Sequence, residues 1–455
     1  MSKINPTIFK AYDIRGLYPS EVNEEVFRKI GQAFVSLLQA KRIAVGQDMR
    51  LSSPSLASAF VEGARSQGAD VVDYGLIGTD MLYYVTVKDQ HDGGAEITAS
   101  HNPQAYNGVK LVAKNAVPLS GDSGISDIRD MISERLDSPS YKSKSSYSKA
   151  NRFNEYVNHV LSFIDISSIK PFHLVLDAGS GIGGLVAPLL FDRLPCQTTR
   201  LCFEVDGTFP NHEANPLIKQ NRQDLVSAVI SSGADAGIAW DGDADRCFFV
   251  DGTGEFISGD FVTALLAEAF LLKHPRSKII YDVRASHAVK DLVTRHNGSA
   301  LMNRVGHAFF KKRMREEDAV FGGEVTGHYY FRENFYADNG FIPALLILEL
   351  MSKKHQTLRE LLTPLREQYF ISGEINSTVN SMSEIPQILE RLKTHYADGT
   401  IDCMDGVSIE YDTWHCNVRP SNTEPLIRLN LEGNTPSIMA TRRDEIIALI
   451  RSEDG

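Results

Sequence analysis

The chain has 455 residues, 42% hydrophobic and 23% charged, an ordinary balance for a globular protein and enough length for three or four domains. Its formal net charge of −11, from 47 Lys+Arg against 58 Asp+Glu, argues against the broad basic face of a nucleic-acid binder but allows a local cationic pocket for a small anion. The five cysteines (Cys196, Cys202, Cys247, Cys403 and Cys416) are odd in number and include no Cys-x-x-Cys pair, which argues against a disulfide framework or a structural zinc site. The opening Met-Ser-Lys-Ile-Asn-Pro lacks the apolar core of a signal peptide. The longest apolar runs, near Phe261–Leu272 and Phe341–Met351, are too short to span a bilayer and carry Glu268 and Glu349. The expected setting is a reducing cytoplasm, without membrane or nucleic-acid partners.

From Glu24 to Gln39, Val26, Phe27, Ile30, Phe34, Leu37 and Leu38 recur at helical spacing. Arg42-Ile-Ala-Val-Gly predicts a buried strand, Ser53 to Gln67 a helix stopped by Gly68, and Ala69 to Tyr74 a further strand. Short strands from Gly94 and Gly108 flank a polar turn. This order predicts an α/β layer with a mixed or parallel sheet. The Ser-, Lys- and Tyr-rich stretch from Asp137 to Ala150 reads as a linker or exposed connection. The alternation then restarts twice. The first restart has a strand at His173, helices at Gly184–Leu194 and Gln223–Ser232, and a strand at Asp235–Trp240. The second has a helix at Gly259–Lys273, a strand from Lys278 and a helix at Ser286–His296. Three similar α/β units imply a structural repeat, although no sequence motif repeats. From about Ile371, short strands and one helix near Glu384–Tyr396 predict a smaller α+β domain. The expected domains are 1–150, 151–256, 257–368 and 369–455.

Four local motifs carry chemistry. In Thr98-Ala-Ser-His-Asn-Pro103 a hydroxyl lies on a tight turn after a strand, with His101 beside it and Lys110 beyond the Asn107-Gly108 turn. A hydroxyl, an imidazole and an ammonium suit phosphoryl transfer, where positioning and charge neutralisation dominate; a capping serine in a loop is the plain alternative. Asp241-Gly-Asp-Ala-Asp-Arg246 puts three carboxylates at period two, able to fold over one hard cation. An EF-hand fails, because its sixth position is Arg246 and its twelfth is Gly252. Gly322-Gly-Glu-Val-Thr-Gly-His328 offers Glu324 and Thr326 to sugar hydroxyls, or else forms a hairpin with a solvent-facing Glu. Arg419-Pro-Ser-Asn-Thr-Glu424 combines turn amides, hydroxyls and a guanidinium as a phosphate cradle, or else a capped turn. A fifth motif, Gly179-Ser-Gly-Ile-Gly-Gly184, has the G-x-G-x-x-G spacing between a strand and a helix, with Glu204 near the distance of a ribose contact. It keeps a nicotinamide- or flavin-dependent oxidoreductase open as a second reading.

Taken in order, and with Phe9-Lys-Ala-Tyr-Asp-Ile-Arg-Gly16 at the start, the motifs resemble the α-D-phosphohexomutase superfamily over nearly the whole chain. The nearest subgroup is the bacterial phosphomannomutase/phosphoglucomutase group. The resemblance implies three similar α/β domains with mixed sheets and a smaller C-terminal α+β domain, arranged around a central cleft. It implies a phosphoryl group on Ser100 and a Mg²⁺ site made by Ser100, Asp241, Asp243 and Asp245. Arg15, His101, Lys110 and Arg246 would surround the transferring group. Glu324 and Thr326 would hold sugar hydroxyls, and Arg419, Ser421, Asn422 and Thr423 the phosphate that is not reacting. Tyr12, Gly306 and His307 would line the cleft, with His328 near the reacting end. The implied reaction interconverts hexose 1-phosphate and hexose 6-phosphate, of mannose or glucose, through a hexose 1,6-bisphosphate, in a monomer or small homo-oligomer. Two departures bear on substrate preference: Arg284 follows Asp-Val where the subgroup often has Lys, and the sugar loop reads Glu-Val-Thr instead of Glu-Met-Ser. Phosphoglucosamine mutase is the rival within the class, although its sugar loop usually has Gln where this chain has Val325. A non-catalytic sugar-phosphate binder is the rival outside it.

Overall fold

The computed structural model describes residues 4–133, 145–421 and 425–451. The chain forms two compact units. The first comprises Met1–Ile257, Gly306–Glu316 and Thr326–Leu358, and the second Ser258–Val305, Glu317–Val325 and Arg359–Gly455.

The first unit opens with a seven-stranded mixed sheet. Its path runs Ile14–Leu17, Tyr106–Ala113, Gly93–Ile97, Arg42–Gln47, Asp70–Leu76, Tyr147–Lys149, with Val117–Pro118 alongside Tyr106–Ala113. Arg42–Gln47 pairs in parallel with both neighbours, while Gly93–Ile97 and Tyr106–Ala113 are antiparallel. The helix Glu24–Leu38 is capped by Asn23, whose side chain accepts from Val26 N, and closes on Gln39 in the left-handed region. Its periodic face, with Phe27, Ile30 and Phe34, is fully buried. A second sheet in this unit has the order Cys247–Asp251, Ala236–Trp240, His173–Asp177, Gln197–Leu201, antiparallel at the first pair and parallel thereafter. Tyr329–Phe331 and Ala337–Asp338 form an antiparallel pair.

In the second unit Lys278–Asp282 lies parallel to Ser299–Asn303 and to Phe321–Gly323. A five-stranded antiparallel sheet follows, in the order Phe370–Thr378, Leu426–Gly433, Trp414–Pro420, Val407–Tyr411, Thr400–Asp402. The helices Ile385–His395 and Pro436–Arg451 share its core, through Ile388 and Leu392 from one and Ile446 and Ile450 from the other.

Most expected elements are present within a residue or two, including Gln223–Ser232 and Gly259–Lys273. Several were not foreseen, among them the helices Phe153–Leu161, His307–Glu317 and Leu358–Gln368. The 137–150 stretch is not wholly a connection: part of it lies outside the described residues, but Tyr147–Lys149 adds a parallel edge strand to Asp70–Leu76. Its three residues are exposed, so Lys and Tyr sit at a solvated edge. The helix Thr79–Lys88 is buried over Thr79–Thr86 and so shows no apolar stripe. The C-terminal domain has a second helix, Pro436–Arg451, with only Ile446 and Ile450 buried. The two long apolar runs form core helices, Gly259–Lys273 and Phe341–Lys354. Glu349 in the latter is held by Asp165 N and Lys353 Nζ. No helix among the described residues is long and apolar enough to cross a membrane.

Candidate active site

Ser100 follows the strand Gly93–Ile97 and takes φ +49°, a left-handed conformation that a turn must enforce. Two anchors enforce it. Thr98 Oγ1 accepts from Ser100 N at 2.8 Å. Arg50, 1% exposed, donates to four carbonyls of the loop: Ser100 (2.8 Å), Asn102 (2.6 Å), Pro103 (2.9 Å) and Tyr106 (3.0 Å). Its Nε rests on Asp48 Oδ2 at 3.1 Å. The result is a serine only 3% exposed, whose Oγ donates to Asp241 Oδ2 at 2.8 Å and lies 3.2 Å from His101 Nδ1.

The acidic loop leaves the strand Ala236–Trp240 and is packed backbone to backbone. A Cβ on Gly242 would stand 2.6 Å from Ser100 O. On its other side, Gly242 O accepts from Ile182 N at 2.9 Å, and a Cβ on Gly181 would meet Gly242 O at 2.6 Å. The G-x-G-x-x-G glycines therefore let one loop seat against another. This close packing is what the spacing encodes here, and the dinucleotide reading is withdrawn.

Asp241, Asp243 and Asp245 are all buried and each offers an oxygen within 4.8 Å of the others. Arg246 Nε donates to Asp241 Oδ2 at 2.9 Å, and Arg246 N to Oδ1 at 3.1 Å. Lys110 Nζ reaches Asp243 Oδ2 at 2.7 Å and also binds Asp245 Oδ2. Thr79 Oγ1 adds 2.6 Å to Asp243 Oδ2. Burial works against the Lys110 ammonium, but Asp243 and Asp245 hold it charged. Burial raises Asp241 to about 6 despite Arg246. For Asp243 burial is outweighed by Lys110, and the carboxyl sits below the usual range. Burial, with Arg246 and Arg15 nearby, keeps His101 neutral. Asp243 Oδ1 and Asp245 Oδ1 are buried without a hydrogen-bond partner among the described residues. Three oxygen donors with two orphaned lone-pair sites fit a hard divalent cation such as Mg²⁺.

His328 reaches this loop through a β-bridge to Arg246. Its Nδ1 lies 3.1 Å from Asp338 Oδ2 and 3.8 Å from Asp245 Oδ1. Asp338 in turn faces Lys311, whose fully buried Nζ is 2.8 Å from Asp338 Oδ1, 2.7 Å from Tyr83 Oη and 3.4 Å from His307 Nδ1. Tyr12 packs edge-on against His307 at 5.4 Å, over Gly306, where a Cβ would lie 2.5 Å from its hydroxyl. Arg15 donates to Asn102 Oδ1 at 2.6 Å and pairs with Asp13. Thr326 is half-buried in the loop leading to His328.

In the second unit, Arg284 is buried on Asp282, with Nη2 at 2.9 Å from Oδ2, and 3.9 Å from Glu324. Glu324 is 2% exposed, so the solvent-facing hairpin glutamate is not what forms. Arg419 pairs with Asp405 at 3.4 Å, and Ser421 is buried, its N–H bonded to Leu426 O at 2.8 Å. Asn422 and Thr423 lie outside the described residues. Arg50, Thr79, Tyr83, Lys311 and Asp338 belong to the network but stand in no motif. The signal that could have found Thr79 and Tyr83 is a polar residue inside an apolar run, as with Asp80 in the same buried helix.

Four domain models match in chain order: phosphoglucomutase/phosphomannomutase alpha/beta/alpha domain I over residues 6–137, domain II over 154–254, domain III over 258–369, and the C-terminal domain over 374–449. The chain belongs to the phosphoglucomutase/phosphomannomutase family. It is 43% identical over 446 residues to a protein of Xanthomonas campestris pv. campestris (strain B100) called "Phosphohexose mutases", covering 97% of this chain and 99% of that one. It is 42% identical over 459 residues to a phosphomannomutase of Salmonella montevideo, covering 98% and 100%. A crystal structure of a phosphoglucomutase/phosphomannomutase family protein from Burkholderia thailandensis superposes with a TM-score of 0.88 at 29% identity, over 100% of this chain and 99% of that one. The family's fold, three α/β domains and a C-terminal domain, is the one expected from the motif order. The activity class is that of a hexose-phosphate mutase.

Proposed function

We propose that the chain interconverts hexose 1-phosphate and hexose 6-phosphate, of mannose or glucose, with Ser100 as the phosphoryl carrier. One observation carries this reading: Ser100 Oγ is aimed, from an enforced left-handed turn, at a cluster of three buried aspartates with two orphaned oxygens. A serine held there has its future phosphate oxygen among the same donors. Mg²⁺ bound by Asp241, Asp243, Asp245 and that oxygen supplies charge neutralisation on the phosphoryl group.

In the proposed course, the bond from Ser100 Oγ to phosphorus breaks as the free hydroxyl of a hexose monophosphate forms its own bond to phosphorus. The hydroxyl's proton leaves and a proton returns to Oγ. His328, oriented by Asp338, and neutral His101, 3.2 Å from Oγ, pass these protons. Arg15, Lys110 and Arg246 balance the developing charge. The hexose 1,6-bisphosphate then presents its other phosphate to Ser100, and the reverse transfer releases product. Glu324, Thr326 and Arg284 take the sugar hydroxyls. Arg419, Ser421, Asn422 and Thr423 take the idle phosphate, and Tyr12, Gly306 and His307 line the sugar's path. The proposal assigns one role to each of residues 1–150, 151–256, 257–368 and 369–455: carrier, metal, sugar and phosphate. Five free thiols favour a reducing cytoplasm.

Ser100→Ala should lower turnover on the order of 10³-fold or more while calorimetric binding of a hexose monophosphate persists. Label from a [³²P]hexose 1,6-bisphosphate should appear on Ser100 of the wild type and on no residue of the variant. Turnover within tenfold of wild type in Ser100→Ala would reject the carrier role.

A further inference from the structure

Away from the aspartate loop, the first unit brings together Asp177, Cys202 and His212, whose ligand atoms lie within 4.8 Å of one another. Asp177 ends the strand His173–Asp177. Its register partner on the parallel neighbour is Leu201, so Cys202 is the first residue beyond. The trio therefore sits at the carboxyl ends of two adjacent parallel strands, where open α/β sheets gather ligands. His212 comes in from the following loop.

The two side chains converge on one nitrogen. His212 Nε2 is 3.1 Å from Asp177 Oδ2 and 3.7 Å from Cys202 Sγ. The other ring nitrogen, Nδ1, is 2.9 Å from the carbonyl of Glu213. A carbonyl only accepts, so Nδ1 carries a proton and Nε2 is the nitrogen that can offer a lone pair. This is not the geometry of a Cys-His-Asp nucleophile, in which thiol and carboxylate take opposite nitrogens. A single proton on Nε2 satisfies the carboxylate or the thiol. A metal ion satisfies all three groups.

The spacings also match. With zinc bond lengths of about 2.0–2.1 Å to nitrogen and oxygen and about 2.3 Å to sulfur, tetrahedral edges come to about 3.4 Å for N–O and about 3.5 Å for N–S. The surroundings are fixed before any ion arrives. Gly179 N donates to Asp177 Oδ1 at 2.9 Å, and Ser180 N to Cys202 O at 2.8 Å. Asp177 is 2% exposed, while Cys202 and His212 are partly open, which leaves a way in and a fourth position for water.

We infer that Asp177, Cys202 and His212 form a second metal site, selective for zinc or a similar borderline divalent cation over Mg²⁺. A thiolate and an imidazole suit such ions, and the hard Mg²⁺ does not. The spacing of the cysteines gave no hint of it, because the three ligands come from separate elements and only one is a cysteine. The filled site, Zn²⁺ with one thiolate, one carboxylate and one neutral imidazole, carries no net charge.

The test uses the full-length protein, stripped by chelator and held in excess Mg²⁺, titrated with Zn²⁺ and with Co²⁺. The expected result is one tight Zn²⁺ per chain. Co²⁺ should give a thiolate-to-cobalt charge-transfer band and the intense visible bands of a tetrahedral ion. Cys202→Ser should abolish the charge-transfer band, and His212→Ala should weaken Zn²⁺ binding at least tenfold. If His212→Ala does not fold, Cys202→Ser, which keeps the His212–Asp177 hydrogen bond, decides alone. No charge-transfer band in the wild type, or a band that survives Cys202→Ser, would overturn the inference.

Discussion

Ser100, Asp241, Asp243 and Asp245 could be named from the sequence because their chemistry is written in short, contiguous motifs. What fixes them in place could not. Arg50 joins Asp48 to four carbonyls of the serine loop, and carbonyls carry no sequence signature. Arg50→Met removes the donors and leaves Asp48 without its buried partner, which costs about 3–5 kcal/mol for a pair of this kind. Thermal or urea unfolding should show a loss of that order, and an unchanged midpoint would mean the loop is held by other contacts. A second buried acid has a pH signature. Asp260 accepts from Ser286 N at 2.8 Å and from Ser258, but burial dominates and raises it to about 6. Its folded pKa exceeds the ordinary carboxylate value of about 3.9. Its contribution to stability is therefore full below about pH 4 and is lost as pH rises through 6. Between pH 4 and pH 7 that loss is roughly 2–3 kcal/mol. Asp260→Asn should gain on the wild type by this amount over the same interval in urea melts. A pH-independent difference would refute the assignment.

Legibility of the elements followed their exposure in part, since the amphipathic helices Phe153–Leu161 and Leu358–Gln368 were also not foreseen. Helices with one wet face, such as Glu24–Leu38 and His287–Arg295, announce themselves by period. The helix Thr79–Lys88 is wrapped on all sides, so its pattern is flat. Yet it supplies Thr79 to Asp243 and Tyr83 to Lys311. The missed helix and the missed Thr79 and Tyr83 are thus one omission. The loops show the converse. The glycines of Gly179–Gly184 were legible, but their purpose was not, since spacing cannot tell a phosphate bay from a place where two backbones touch. The Gly242 position tests that contact. Gly242→Ala would drive a methyl to 2.6 Å from Ser100 O, and such overpacking costs about 1–3 kcal/mol. The displaced loop should lower kcat by tenfold or more with a smaller change in KM. Wild-type kinetics in Gly242→Ala would show that the loop has slack.

At the level of the whole chain, four ordered motifs predicted the architecture better than any one of them did. A single motif competes with chance, but a fixed order across 455 residues does not. The two compact units were not foreseen, because the chain passes between them five times and each is assembled from three separate segments. Residues 258–369, matched by one domain model, are shared between both units. Lys311, His328 and Asp338 accordingly join the serine and aspartate loops in the first unit, although they follow them by many residues. Under the proposed function the choice of hexose stays open, because Arg284 and Val325 depart from the common subgroup pattern and no motif specifies it. The most direct measurement is therefore conversion of mannose 1-phosphate, glucose 1-phosphate and glucosamine 1-phosphate to their 6-phosphates, with Mg²⁺ and a trace of hexose 1,6-bisphosphate. The account predicts turnover of mannose or glucose 1-phosphate that disappears when Mg²⁺ is chelated. Turnover of glucosamine 1-phosphate alone, or of none of the three by folded protein, would contradict it.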